Sequence, residues 1–164
     1  MQVFVCDSSM SRSAQMLDSK RLNKQIVEAF QLVEDRLPNL HHPAYMFWKE
    51  HKEELRMYMS CLCAEYTRRY GKEHKCANVA SKPTTDSFVR FIPEFDLLLL
   101  SHRVNLLRKD ENWYSQFFSV PLPLTDYPNG YYWNAPYARS SQDSTKAWKK
   151  WYDKFRKETM AESL

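Results

Sequence analysis

Only two glycines, Gly71 and Gly130, occur among the 164 residues of this chain. Glycine is the residue that tight turns with positive φ most often require, so this low content argues against a turn-rich all-β fold. Hydrophobic residues make up 43% of the chain and aromatic residues 15%, which suffices for a packed core. A chain of this length buries about 70% of its unfolded surface in one domain. We therefore expect residues 1–164 to form one compact, mainly α domain.

Apolar residues that recur every three or four positions predict three principal helices. The first is expected to begin at a capping Ser11 or Ser13 and to run to about Asp35, before Pro38. The residues of this helix predicted to face the core are Met16, Leu22, Ile26, Ala29 and Val33.

The second helix is expected to begin near His42 and Pro43 and to end at Gly71, because proline suits a first helical turn and glycine suits the residue after the last. The third is expected to begin at Pro93 and to end around Asp110.

Residues 119–138 contain four prolines and the pair Asn129-Gly130, a composition typical of an irregular strap over the surface. A final amphipathic helix is predicted over 141–158. It should dock through Trp148, Trp151 and Phe155. Its lysine-rich face has two readings, a solvated surface or a nonspecific phosphate grip formed by Lys149, Lys150 and Lys154. We expect a core of residues 1–118, followed by a strap and helix over 119–164.

Charge and cysteine content limit the classes of function. Residues 139–158 contain seven Lys or Arg and three Asp or Glu, so this segment accounts for the whole net charge of +4. Nucleic-acid binding would therefore depend on local cationic patches rather than on overall basicity. The four cysteines form no C-x-x-C pair and no regular disulfide framework, which favours reduced thiols over a zinc site. The apolar stretch 97–100 is too short to span a bilayer.

The run from Leu17 to Glu28 gathers polar chemistry on one side of a predicted helix. At 3.6 residues per turn, Arg21, Lys24, Gln25 and Glu28 share a face. An ordinary i, i+4 ion pair between Lys24 and Glu28 would also explain two of these residues. The spacing alone leaves both interpretations open.

Three segments in this order resemble the pyrimidine dimer DNA glycosylase family, of the phage endonuclease V type. The first is the Leu-Asp-x-x-Arg-Leu-x-Lys-Gln-x-x-Glu run of residues 17–28. The second begins at His-Pro-Ala, residues 42–44, and extends to Arg-Tyr-Gly at 69–71. The third runs from Ile-Pro-Glu at 92–94 through Ser-His-Arg to Trp-Tyr at 113–114. The patterns are more similar still to a poorly characterised bacterial and phage branch.

The resemblance implies an enzyme that releases a damaged pyrimidine and then cuts the abasic site. In that family an amine attacks the sugar C1′ to form an imine, and the glutamate matching Glu28 is catalytic. The amine is the one exposed when the initiator methionine is removed, which requires a small second residue. Here Gln2 follows Met1, so we expect Met1 to remain and its α-amine to be the nucleophile, with Lys20 and Lys24 as alternatives. Val27 also stands where the family usually has arginine.

Several further residues are predicted to contact DNA. Arginine, lysine and amide side chains suit phosphate and base edges, whereas aromatic rings suit an exposed base. A solvated helix face and a packed core are the ordinary alternatives. The predicted contacts are Arg21, Lys24, Gln25, His42, His102, Arg103, Asn105, Arg108, Lys109, Trp113 and Tyr114.

The sequence thus predicts a DNA glycosylase with abasic-site lyase activity on damaged or modified pyrimidines. It predicts double-stranded DNA as the partner, a monomer, and a cytoplasmic setting in a bacterium or a phage-infected cell. The resemblance implies no metal or organic cofactor. A DNA-base-modifying enzyme on the same scaffold and a noncatalytic DNA-binding protein are the two rival interpretations.

Overall fold

The structure, a computed structural model, describes residues 2–134 and 142–162. Its regular elements in these ranges are helices, apart from one isolated β-bridge between Ser9 and Ser87. The prediction of a mainly α fold is confirmed. The seven α-helices of the described ranges are α1 (Met10–Met16), α2 (Ser19–Val33), α3 (Pro43–Trp48), α4 (Lys52–Tyr70), α5 (Phe95–Lys109), α6 (Glu111–Tyr114) and α7 (Gln142–Ala161).

The first predicted helix is in fact two helices, α1 and α2. The chain is extended at Leu17 and Asp18, and the Asp18 carboxylate accepts a hydrogen bond from the Arg21 N–H, which caps a new helix. Ser9, rather than Ser11 or Ser13, caps α1. All five predicted core residues of this region are buried, as the 3.6-residue period requires.

The second predicted helix is also divided. His42 caps α3 through a hydrogen bond from the Ala44 N–H to its ring, and the chain then leaves the helix before α4 begins at Lys52. Gly71 ends α4 with a φ of 67°, as predicted. Both α1 and α2 pack against α4.

The third predicted helix corresponds to α5, which begins two residues after Pro93, and the final one corresponds to α7. Trp148 is fully buried, so α7 docks through the predicted aromatic face. The short helix α6 was not predicted. Residues 135–138 of the predicted strap and Ser141 at the start of the last helix lie outside the described residues.

The N-terminal arm, residues 2–6, passes through the centre of the molecule, and each of its residues is buried. An extended backbone in a protein interior must satisfy its N–H and C=O groups. No neighbouring strand does so here within the described ranges; side chains from the surrounding helices supply hydrogen bonds instead. These side chains are Ser13, Gln25, Glu28, Tyr58, His102 and Arg103.

The strap between α6 and α7 is held against α5. The Arg108 guanidinium donates to the carbonyl oxygens of Leu124, Tyr127 and Pro128, over 2.7 to 3.0 Å. Asn105 donates to the carbonyl of Gly130 over 2.7 Å. The arm and the strap therefore approach the same part of the molecule.

Candidate active site

A cleft of about 420 Å³ opens where the arm, α2, the end of α5 and the strap meet. A volume of this order lies within the range of small-molecule sites. Four cationic side chains and one carboxylate line it. Its residues are Gln2, Phe4, Lys20, Arg21, Lys24, Gln25, Glu28, Lys109 and Tyr131.

The carboxylate in the cleft belongs to Glu28, on α2. Its Oε2 accepts a hydrogen bond from the backbone N–H of Gln2 at 3.0 Å, so the arm brings the start of the chain to this group. Lys24 Nζ lies 3.8 Å from Oε1, which is the i, i+4 ion pair considered above. The Glu28 side chain is 13% exposed and that of Lys24 is 70% exposed. Glu28 therefore lies at the inner end of the cleft, and Lys24 lies at its rim.

The bulky residue at position 2 occupies a buried slot. Gln2 Oε1 accepts a hydrogen bond from Trp133 Nε1 at 3.3 Å, and its Nε2 lies 3.5 Å from His102 Nε2. Gln2 is 8% exposed. Gln2 stands where the family has a small residue, and α5 and the strap provide polar partners for its side chain.

Arg21 enters the cleft but is tied to its own helix cap. Its guanidinium donates to Asp18 Oδ2 at 2.8 Å, and Tyr114 donates to the same oxygen at 2.5 Å. Burial opposes ionisation of Asp18, but these hydrogen bonds hold its pKa below the usual value. Tyr114 is fully buried. Its predicted role of stacking on a base is therefore incompatible with its position beneath Asp18.

Three lysines form the cationic rim of the cleft: Lys20, Lys24 and Lys109. Each is exposed. The predicted DNA contacts at Lys24 and Lys109 thus lie beside Glu28. The exposure of Lys20 and Lys24 differs from the buried setting typical of lysine nucleophiles.

Gln25 and His102, both predicted to contact DNA, are committed to the arm. The Gln25 amide bonds to both the N–H and the carbonyl of Phe4, and it donates to Tyr58 as well. His102 Nδ1 accepts from the Val5 N–H at 2.9 Å, and burial lowers the pKa of the ring to about 3. These are 1% and 0% exposed, respectively. Both side chains form hydrogen bonds with the extended backbone of the arm. This role, rather than contact with DNA, explains why polar residues occupy these buried positions.

Three polar residues of α5 are likewise bound within the protein. Arg103 donates to the carbonyl of Cys6 at 2.9 Å and lies over the Phe118 ring. Asn105 and Arg108 bind the strap, as described above. These three residues were predicted to contact DNA, but in the structure they hold the arm and the strap.

The two remaining predicted contacts lie outside the cleft lining. His42 is the cap of α3, and burial lowers the pKa of its ring. Trp113 Nε1 donates to the carbonyl of Met16 at 2.8 Å, and the ring is partly buried. Met1, predicted to provide the nucleophile, lies outside the described residues.

Three cleft residues were not among the predicted site residues: Gln2, Phe4 and Tyr131. One signal for Gln2 was present, since it is the polar residue directly before the apolar run Val-Phe-Val. Phe4 belongs to that apolar run, and it is 5% exposed. Tyr131 lies 103 residues from Glu28 in the sequence, so no local pattern connects the two.

Among residues 2–134 and 142–162, no three His, Cys, Asp or Glu side chains are grouped so that they would hold a metal ion. No helix in these ranges has the length and apolar character needed to cross a membrane.

The fold and the cleft define a helical protein that presents a carboxylate and the start of its chain to a cationic opening. Residues 1–78 match the family model described as pyrimidine dimer DNA glycosylase. This part of the chain supplies the arm, α2 and Glu28. The comparisons with curated proteins and with solved structures gave no match.

Proposed function

We propose that this protein is a DNA glycosylase that releases a damaged pyrimidine and then cleaves the resulting abasic site through an imine. The single observation that carries the proposal is the 3.0 Å hydrogen bond between the Gln2 N–H and Glu28. It joins the family's glutamate to the first residues of the chain. The family match over residues 1–78 supplies the substrate class.

The proposed nucleophile is the α-amine of Met1, where Met1 is the mature N-terminus. Three covalent bonds separate that amine from the Gln2 nitrogen that Glu28 binds. An α-amine has an ordinary pKa of about 7.7 to 8.0, so a useful fraction is neutral at physiological pH. Lysine Nζ, with an ordinary value of about 10.4, is far more fully protonated. Of these two kinds of amine, the α-amine is therefore the better nucleophile near neutral pH.

In the proposed reaction the neutral amine forms a bond to C1′, and the bond from C1′ to the base breaks with its electron pair leaving on the base. Opening of the sugar ring then gives the protonated imine. Loss of a proton from C2′ and departure of the 3′ phosphate complete strand cleavage, and water hydrolyses the imine. Glu28 carries protons in these steps, because it is the carboxylate that lines the cleft.

The lysine rim supports a DNA substrate. Lys20, Lys24 and Lys109 present exposed ammonium groups around the cleft that contains Glu28. In the proposed reaction Glu28 approaches a deoxyribose that lies between two phosphates. Contacts of this kind position the duplex without reading its sequence.

The test compares wild-type protein with Glu28→Gln on duplex DNA that carries one cyclobutane pyrimidine dimer or one abasic site. We expect strand cleavage by the variant to fall by about 100-fold or more, the range for loss of a general acid or base. DNA affinity should stay equal or rise, since the variant removes a negative charge from a cationic cleft.

The matched control is Glu73→Gln, the same chemical change at an exposed glutamate outside the cleft lining. It should cleave at the wild-type rate. Unchanged cleavage by Glu28→Gln would reject the role of Glu28. DNA binding by wild-type protein with no base release or cleavage would favour a noncatalytic binding protein, and an altered base retained in the strand would favour a base-modifying enzyme.

A further inference from the structure

Gln2 is bound by two different parts of the protein. Its backbone N–H donates to Glu28 Oε2 on α2, at 3.0 Å. Its side-chain Oε1 accepts a hydrogen bond from Trp133 Nε1 of the strap, at 3.3 Å. An indole N–H is only a donor, so this contact orients the amide with its oxygen toward the strap. Gln2 is 8% exposed, so water competes little for the side-chain contact.

Trp133 is held in a cluster of rings, so the donor that faces Gln2 has a defined position. The Trp133 ring centroid lies 4.8 Å from that of His102, 5.4 Å from that of Phe47 and 6.4 Å from that of Trp48. Trp133 is 2% exposed. The helices α3 and α5 therefore fix the ring to which the Gln2 amide is attached.

The rest of the arm is attached separately. Gln25 bonds to the N–H and the carbonyl of Phe4, at 2.8 and 3.1 Å, and the Val5 N–H donates to His102. An extended chain rises about 3.3 Å per residue, so residue 1 lies about 10 Å along the chain from Phe4. Attachment at Phe4 alone would leave the position of the chain start loosely defined. Within the described residues, the hydrogen bonds of Gln2 are those that reach furthest toward the free end.

The size of Gln2 has two consequences for the chain start. A bulky second residue keeps Met1 in place, whereas a small one permits its removal. A small side chain would also be too short to reach Trp133. Trp133 lies outside residues 1–78, so the family match does not account for this contact.

We propose that Gln2 is a positioning residue of the reaction. The hydrogen bond between its amide and Trp133 holds the chain start at Glu28, where the α-amine of residue 1 attacks the sugar C1′. A displacement of about 1 Å between reacting groups lowers a rate by as much as about 100-fold. Gln2 acts through the amine rather than on the substrate. This inference rests on the proposed function and adds to it the residue that orients the nucleophile.

The test measures imine formation and DNA binding separately. Gln2→Leu keeps a bulky side chain, and hence Met1, but offers Trp133 no acceptor. Trp133→Phe keeps a ring and removes the donor. Imine formation is followed by single-turnover borohydride trapping on a duplex with one abasic site, and binding is measured on a duplex with a tetrahydrofuran analogue, which forms no imine.

We expect each variant to be trapped about 10 to 100-fold more slowly than wild-type protein, because the amine is misplaced. Affinity for the tetrahydrofuran duplex should stay within about threefold of wild type, since no group that faces the DNA is changed. Gln116→Leu, the same substitution at an exposed glutamine, should be trapped at the wild-type rate.

The double variant Gln2→Leu/Trp133→Phe tests whether the hydrogen bond is the link. Both single changes remove the same bond, so the double variant should be trapped no more slowly than the slower single variant. Losses that multiply in the double variant would overturn the proposal.

A wild-type trapping rate for Gln2→Leu would overturn the proposal as well. So would equal losses of trapping and affinity, which would make Gln2 a structural support of the cleft. Wild-type protein that forms no adduct with abasic DNA would instead reject the proposed function.

Discussion

Two sets of polar side chains on the helices have opposite environments. The arm-binding set, Ser13, Gln25, Tyr58 and His102, is buried and hydrogen-bonded to the N-terminal arm or to its other members. The rim set, Lys20, Lys24 and Lys109, is exposed around the cleft. In the sequence, Gln25 and His102 resemble the rim lysines, as polar residues on predicted helices. The two sets differ in their neighbours. The extended backbone of the arm, which needs hydrogen-bond partners, lies beside the arm-binding set and not beside the rim set.

Glu28 belongs to neither set, because it is the carboxylate of the cleft and also accepts a hydrogen bond from the arm. The arm-binding set fixes where the chain starts relative to this carboxylate. We expect changes in that set to reduce stability first, whereas changes in the rim set should affect DNA binding and leave stability intact.

The largest effect should come from Gln25→Leu. The change leaves the buried Phe4 N–H without its partner at 2.8 Å and removes the bond to Tyr58. An unsatisfied buried donor together with a broken network costs about 2–4 kcal/mol. Urea denaturation followed by circular dichroism measures this loss. The control Gln116→Leu, at an exposed site, should shift the free energy of unfolding by less than about 0.5 kcal/mol. Equal stability of the two variants would show that the arm does not depend on Gln25.

A pH-dependent effect of intermediate size should come from His102. Its folded-state pKa of about 3 lies below its ordinary value of 6.5, because the neutral ring is buried. Between these two pH values, the unfolded chain therefore binds a proton at His102 that the native protein does not bind. The resulting stability is present above pH 6.5 and is lost as the pH falls toward 3, by up to about 1.4 kcal/mol per pH unit.

His102→Asn isolates this contribution, since an asparagine carbonyl can accept from the Val5 N–H in place of Nδ1. Between pH 7.5 and pH 5, wild-type protein should lose about 2 kcal/mol more of its unfolding free energy than the variant does. The lowered pKa values of His42 and His74 act in both proteins and cancel in the difference. Parallel pH profiles would contradict the assignment of a neutral, buried His102.

The smallest effect should come from the rim set. Lys109→Gln should leave the unfolding free energy unchanged and should lower the slope of log affinity against log salt concentration by about one, the value for one lost phosphate contact. Lys72→Gln, at an exposed lysine outside the cleft lining, should keep the wild-type slope. Identical slopes for Lys109→Gln and Lys72→Gln would show that Lys109 makes no phosphate contact.

The sequence predicted those parts of the fold that depend on local spacing. Leu22, Ile26 and Ala29 are buried because the helical period puts them on one face, and Gly71 ends α4 because it adopts a positive φ. The break between α1 and α2 at Asp18 was not predicted. In the sequence, an aspartate that caps a helix cannot be told from an aspartate on a helix surface, and the contact of Asp18 with Tyr114 is visible only in the structure.

The candidate site was predictable in part for the same reason. Glu28 and Lys24 are neighbours on one helix, and they form the ion pair that this spacing indicates. The catalytic role of Glu28 came from the family resemblance and stays a prediction. The contacts of Val5 with His102 and the placement of Tyr131 near Glu28 join residues about 100 positions apart. No periodicity encodes such contacts, so the partners of the arm were mistaken for partners of DNA.

The most direct test of a reaction centre formed by Glu28 and the chain start is borohydride trapping on abasic-site DNA, followed by peptide mass spectrometry of the adduct. The account predicts one DNA adduct, located on the α-amine of residue 1, which disappears when a non-removable extension precedes that residue. An adduct on Lys20 or Lys24, or one that persists with the extension in place, would contradict it.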